Sequence, residues 1–236
     1  MRAYIKYRKG DGMSILDIYF APSKVFNALK EKPQWIIPLV VVLLVVAVTA
    51  VVTVSLTRET IIARQEEMFQ ERGMSEEQIE QARQFTSGPI MMISSAISAA
   101  LITAVLLVVF ALVVHLFIPL FGGESSFKKV FSVICFSALV TVPAAILKII
   151  LIAITGSPYI TTSLALLAPD LAKSSFTYQL LSGFDLFVIW EMVLVSMGIS
   201  ITNNLLRKNA YMLVFLIWFI SIFIGIGLGN IFGRGA

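Results

Sequence analysis

Charge is scarce in this chain. Only 14% of its 236 residues are Asp, Glu, Lys or Arg, where a soluble domain carries about 25%. That deficit excludes an ordinary water-facing surface. There is one cysteine, Cys135, so no intramolecular disulfide can form, and the residue reads as a small core hydrophobe. There is one histidine, His115, with no Cys, Asp or Glu at ligand spacing. Alone it cannot build a three- or four-ligand metal site, and it reads as an interhelical hydrogen-bonding or interfacial residue. P-loop, GxGxxG, HExxH and GxSxG patterns are all missing. No catalytic residue, cofactor, metal or nucleic-acid partner is therefore expected. The longest polar stretches run to about 35 residues, too short for a second stable globular domain without a metal or disulfides.

What the chain has in abundance is apolar sequence, with 58% hydrophobic residues and a mean hydropathy of +0.92. Five long apolar blocks cover about 36–56, 90–121, 130–154, 184–206 and 210–232. A helix of about 20 residues crosses a hydrocarbon core of roughly 30 Å. Lipid offers the backbone no hydrogen bonds, so such blocks must be helices. The expected fold is all-α: a polytopic membrane protein with a bundle of five transmembrane helices over 36–232. The first block follows 35 mostly polar and amphipathic residues and is too long for a signal-peptide core, so it is expected to remain in the mature protein.

Loop charge orients the bundle. Eleven basic residues flank one set of span ends: seven at the N-terminus, Lys128 and Lys129, and Arg207 and Lys208. The other set has six, and four of those share a loop with seven glutamates. The positive-inside rule then places the N-terminus in the cytoplasm and the C-terminus outside the cell membrane.

Residues 1–35 read as a cytoplasmic amphipathic segment. Ser14 can cap a short helix carrying Ile15, Ile18 and Tyr19 on one side. Pro22 suits the first turn of a second helix, whose Val25, Phe26 and Leu29 share a face. With Trp35 at indole depth, this predicts a helix lying in the interface, apolar side toward acyl chains. Residues 58–88 predict an extracytoplasmic helical hairpin, broken at Arg72-Gly73. Its second helix starts at Ser75, with Gln78 completing a capping box and Glu76, Glu77 and Glu80 near the positive end of the dipole.

Inside the apolar blocks, small and polar residues stand out. The second block has Ser94, Ser95, Ala96, Ser98, Ala99 and Ala100, which let backbones approach closely. Pro143 predicts a kink in the third block and a freed carbonyl. Ser221, Gly225, Gly229 and Gly233 form a small-residue stripe on the last span. It predicts close packing within the bundle or between copies of the chain. Lys148 and Glu191 lie at matching depths on antiparallel spans, so an intramembrane ion pair is expected, with Asp185 as a second partner nearer the surface. The residue 164–171 segment predicts a short helix on the outer interface.

The run SILDIYFAPSKVFNALKEKPQWIIPL resembles the opening of the Yip family, the Ypt/Rab-interacting membrane proteins, in its bacterial branch. Pro22, Phe26, Leu29, Pro33 and Pro38 carry the likeness, together with Gly122-Gly123 before Phe127, the central Pro143 and the five-span layout. The resemblance covers roughly residues 14 to 230. Eukaryotic members associate with prenylated small GTPases through a long cytoplasmic domain, whereas some bacterial relatives look like accessory subunits of ABC exporters. It implies a non-catalytic scaffold or accessory subunit, with the bilayer and other membrane proteins, ABC transporter subunits among them, as partners; the small-residue stripe separately leaves a homo-oligomer through the last span open beside packing within the bundle. The residues alone also admit a small transporter or channel component using Lys148 and Glu191.

Overall fold

The computed structural model describes residues 14–86, 89–157 and 160–233. Of the basic residues that orient the bundle, Arg2, Lys6, Arg8, Lys9 and Arg234 lie outside the described residues, as does Gly88 at the end of the expected hairpin. All described elements are helical apart from one isolated bridge between Ser163 and Asp185. In chain order the α-helices are α1 (Asp17–Phe20), α2 (Pro22–Glu31), α3 (Ile36–Glu71), α4 (Glu76–Thr86), α5 (Pro89–Phe117), α6 (Phe127–Ser137), α7 (Thr141–Thr155), α8 (Phe176–Ser182), α9 (Leu186–Thr202) and α10 (Arg207–Gly233).

Four apolar helical runs among the described residues are long enough to cross a membrane: Ile36–Glu71, Ile90–Phe121, Phe127–Thr155 and Arg207–Gly229. The fifth apolar helix, Leu186–Thr202, has 17 residues, about 25 Å of rise. Against an expectation of five full spans, the fourth apolar block is thus shorter as a helix. Asp185 caps its start, and its end breaks into a turn at Asn203 and Asn204.

The third run is the central pillar. Two thirds of its apolar window (67%) is buried, against 11–22% for the other three. Every residue from Val130 to Val140 is buried, Cys135 among them. Around it pack Val42, Ala111, Val114, Val195, Ile199, Leu213 and Val214. The outward faces of α3, α5 and α10 leave large apolar side chains exposed, such as Leu44, Leu101 and Leu216. This inside-out balance suits a lipid-facing surface.

The N-terminal segment departs from the interfacial helix expected from Pro22, Val25, Phe26, Leu29 and Trp35. Its apolar face is turned into the protein: Ile18, Val25, Phe26 and Leu29 are fully buried. Trp35 packs on Phe131 of α6, ring centroids 5.4 Å apart. α2 runs alongside α9, in the same direction. Tyr19 meets Trp190 at 6.0 Å between centroids, Ser23 Oγ donates to Met197 Sδ at 3.5 Å, and Lys30 Nζ donates to Asn204 Oδ1 at 2.8 Å. An amphipathic pattern specifies an apolar environment, but not whether acyl chains or other helices supply it. Here Gly198 decides. A Cβ there would stand 2.9 Å from Phe26 Cε1 and 2.4 Å from Val133 Cγ1, so its absence lets α2 and α6 close on α9.

At the end of the bundle that carries Lys30, polar side chains tie the loops together. Asn203 Nδ2 donates to Glu124 O at 2.8 Å and Glu124 N–H to Asn203 O at 2.9 Å. Asn204 Nδ2 donates to Glu124 Oε2 at 3.3 Å, and Asn209 Nδ2 to Phe121 O at 2.9 Å. Gly122 takes a left-handed conformation (φ 85°) that favours glycine.

At the opposite end α3 continues past a kink at Thr57 (φ −125°, ψ 19°). α4 folds back against it, with Arg83 bridging to Glu66 at 3.3 Å and Glu80 at 3.8 Å. The Ser75–Gln78 capping box forms in both directions: Ser75 N–H donates to Gln78 Oε1 at 3.0 Å and Gln78 N–H to Ser75 Oγ at 3.3 Å. The 164–171 segment forms one 3-10 turn over Leu164–Leu167, with Leu164, Leu166 and Leu167 exposed.

Candidate functional site

The site begins with Pro143. A proline has no N–H to donate and its ring crowds the preceding turn. The third run therefore breaks into a 3-10 turn at Ala138–Val140, with Pro143 in the first turn of the restarted helix. Before this break α6 packs against α9; beyond it α7 packs chiefly on α3. The change of partner opens a cleft of about 580 Å³ between α7 and α9, closed by α3 and α5 and by residues 160–162.

Lys148 and Glu191 both line this cleft, but not as the expected ion pair. Among the described residues, ion pairs join Lys24 to Asp17 and Arg83 to Glu66 and Glu80, and none joins Lys148 to Glu191. Neither Lys148 nor Glu191 has an ion-pair or hydrogen-bond partner there. The physical reason is the bend: α7 leaves α9 before reaching Lys148, so equal depth does not bring contact. Asp185 lines the cleft too, but is engaged elsewhere. As N-cap of α9, its Oδ1 accepts from Phe187 N–H at 2.8 Å and Val188 N–H at 3.4 Å, and its Oδ2 accepts from the Thr162 hydroxyl. Such a cap neutralises the helix's unpaired donors and accounts for Asp185 structurally.

The rest of the lining is mixed. Thr49, Thr53, Ser95, Thr141, Thr161 and Thr162 supply hydroxyls among alanine and valine walls. Thr49 Oγ1 donates to Val45 O at 2.7 Å. Thr53 Oγ1 is buried and has no hydrogen-bond partner among the described residues. These threonines escape sequence reasoning because isolated hydroxyls on apolar helices carry no spacing signal. The small-residue run of the second block had flagged Ser95, and it lies where α5 meets α3.

Two other sequence features resolve differently. On the Ser221, Gly225, Gly229, Gly233 stripe, a Cβ at Gly225 or Gly229 would meet nothing within 4 Å. Within one chain, then, neither glycine is needed for close helix contact. His115 Nδ1 meets Ser125 Oγ, and that hydroxyl also lies 2.8 Å from the His115 carbonyl oxygen. When the single serine proton goes to the carbonyl, the imidazole must donate to Oγ. It is then no general base; the contact anchors the 122–126 loop to the end of α5.

The comparisons with known proteins point to a membrane protein. The chain is 28% identical over 203 residues to "Membrane protein YknW" of Bacillus subtilis (strain 168), covering 84% of this chain and 82% of that protein. No solved structure matches it. The Yip1 domain pattern matches residues 16–229, nearly all of the chain from the Ile18 and Tyr19 turn to the last helix, and the protein therefore belongs to the Yip1 domain family of membrane proteins.

Proposed function

We propose that this protein is a non-catalytic scaffold or accessory subunit of a membrane complex, of the kind formed around an ABC-type exporter. It sits in the cell membrane as five spans, with α9 the short one, the N-terminus cytoplasmic and the C-terminus outside. One observation supports this reading above others. α3 has 36 residues, about 54 Å of rise against a hydrocarbon core of roughly 30 Å. Its excess beyond the Thr57 kink, with α4 folded against it, forms an arm bearing exposed Glu59, Glu67, Glu71, Glu76, Glu77 and Glu80. Such an arm suits docking to a basic extracytoplasmic surface of a partner subunit, and exposed Gly225 and Gly229 suit close packing against a neighbouring helix.

Purification of the full chain in mild detergent tests it. Reproducible co-purification of an ATPase–permease pair, lost when Glu76, Glu77 and Glu80 are changed to lysine, supports the accessory role. Recovery of an isolated homomer with either arm sequence counts against it. The cleft favours a second reading, a small transporter or channel component. Substrate flux in vesicles holding this protein alone, abolished by Glu191→Gln, would support that reading instead.

A further inference from the structure

We propose that the cleft between α7 and α9 holds a zwitterionic phosphate ester, its primary ammonium on Glu191 and its phosphate on Lys148. Lys148 lies seven residues before the end of α7 and Glu191 five residues into α9. At 1.5 Å per residue both stand roughly 10 Å or less below the α4 end of their helices, just beneath headgroup depth. Two opposite charges line one cleft there, and neither has a partner among the described residues. A charge at that depth without a partner is costly, for half-buried Glu191 more than for Lys148, which is exposed. A direct pair would relieve both, yet the bend at Ala138–Val140 leaves them apart with a cleft of about 580 Å³ between their helices.

One ligand bearing an ammonium and a phosphate satisfies both at once. The buried Thr53 hydroxyl, also without a partner, adds a donor for the ester oxygens. Ile146 and Ile150, flanking Lys148 on α7, are exposed and offer an apolar track for acyl chains. The shared chemistry is that of a phosphoethanolamine group, whether at the head of a bilayer phospholipid or free in solution.

Native mass spectrometry of the full chain, with phosphatidylethanolamine, phosphatidylcholine and phosphatidylglycerol of identical acyl chains, tests the proposal. A primary ammonium donates three hydrogen bonds and the quaternary headgroup none. Phosphatidylethanolamine is therefore expected to be retained about tenfold over either competitor, the scale of one charge-assisted hydrogen bond. Glu191→Gln should erase the preference for phosphatidylethanolamine over phosphatidylcholine. Lys148→Met should weaken both while keeping their ratio. Equal retention of the three lipids by the unaltered protein, or a preference that survives Glu191→Gln, overturns the proposal.

Soluble phosphoethanolamine separates the two sources: displacement of the lipid supports the free ester as ligand, and persistence of the lipid supports the membrane source. Should Glu191→Gln fail to fold, the thermal shift of the unaltered protein serves. A larger shift with phosphatidylethanolamine than with phosphatidylcholine supports the site, and equal shifts overturn it. None of these readouts involves a partner protein, so their failure would leave the scaffold reading untouched.

Discussion

Tyr19 donates its hydroxyl to the carbonyl of Leu139 at 2.6 Å, across 120 residues of sequence. Leu139 is four residues before Pro143, the position whose carbonyl a helical N–H at 143 would have bonded. The tyrosine thus stands in for the N–H that the proline lacks, beside the Thr141 N–H that also reaches this carbonyl, and α1 is fastened to the bend that opens the cleft. Burial raises the Tyr19 phenol above its ordinary range, which keeps it a donor.

Removing that donor should be felt at both ends of the bond. Tyr19→Phe is expected to cost about 1 kcal/mol, the usual net worth of one hydrogen bond, measured by reversible unfolding in mixed micelles. In a Pro143→Ala background the backbone N–H returns and the same change should cost clearly less. Equal costs in both backgrounds would refute the pairing.

Gly198→Val should push Phe26 and Val133 away from α9, given the 2.9 and 2.4 Å that a bare Cβ already leaves. Overpacking of this kind costs about 1–3 kcal/mol. The expected signature is local: a cysteine at Val25, silent to maleimide in the parent, becomes reactive. Continued protection of Val25→Cys would mean that α2 is held by something other than this contact.

The proposed topology has a direct test. Cys135 is buried, so cysteines introduced at exposed Glu76 and Lys128 can be read one at a time with a membrane-impermeant thiol reagent on intact cells. Glu76→Cys should label and Lys128→Cys should label only after lysis. The reverse pattern would invert the orientation, and labelling of both on intact cells would break the five-span count.

Space beside Gly225 and Gly229 predicts an asymmetric phenotype. Gly225→Leu should leave the unfolding midpoint of the monomer within about 0.5 kcal/mol, as for a surface site. If copies of the chain associate through the last helix, the same change should abolish the dimer seen by crosslinking in detergent.

Asp17 offers a pH readout. The Ser14 backbone N–H, at 3.0 Å, and then the Lys24 ammonium, at 3.1 Å, hold its carboxyl below the ordinary value. Its contribution to the α1–α2 junction is present above the ordinary aspartate range and lost as pH falls through the lowered value. Proteolytic accessibility around Phe20 should therefore rise only under strongly acidic conditions, and Asp17→Asn should remove that dependence.

The apolar blocks, the Ser75 cap and the Pro143 break are local devices, written in a few neighbouring residues, so the sequence displays them. The cleft is not local. It arises because a bend in one helix changes which neighbour that helix touches, and no spacing rule relates Pro143 to Glu191. Matching depth placed Lys148 and Glu191 on one level, but depth is a single coordinate and contact requires three. Gly198 escaped notice for the same reason, since a glycine within an apolar helix announces close approach without naming what approaches. Tyr19 was half visible: Pro143 implied an orphaned carbonyl, and its donor lay in the segment read as interfacial.

The docking of α2 on α9 also sets an order of events during synthesis. About 160 residues separate Leu29 from the middle of α9, so at roughly 5–20 residues per second the N-terminal helix waits about ten to thirty seconds for its groove to exist. Through that interval Val25, Phe26 and Leu29 have no protein surface to cover them, and the bilayer interface is the apolar environment at hand. The amphipathic pattern thus suits two successive hosts, the lipid surface for the growing chain and the α9 groove for the finished one, and α2 can be drawn in only after α9 has been made.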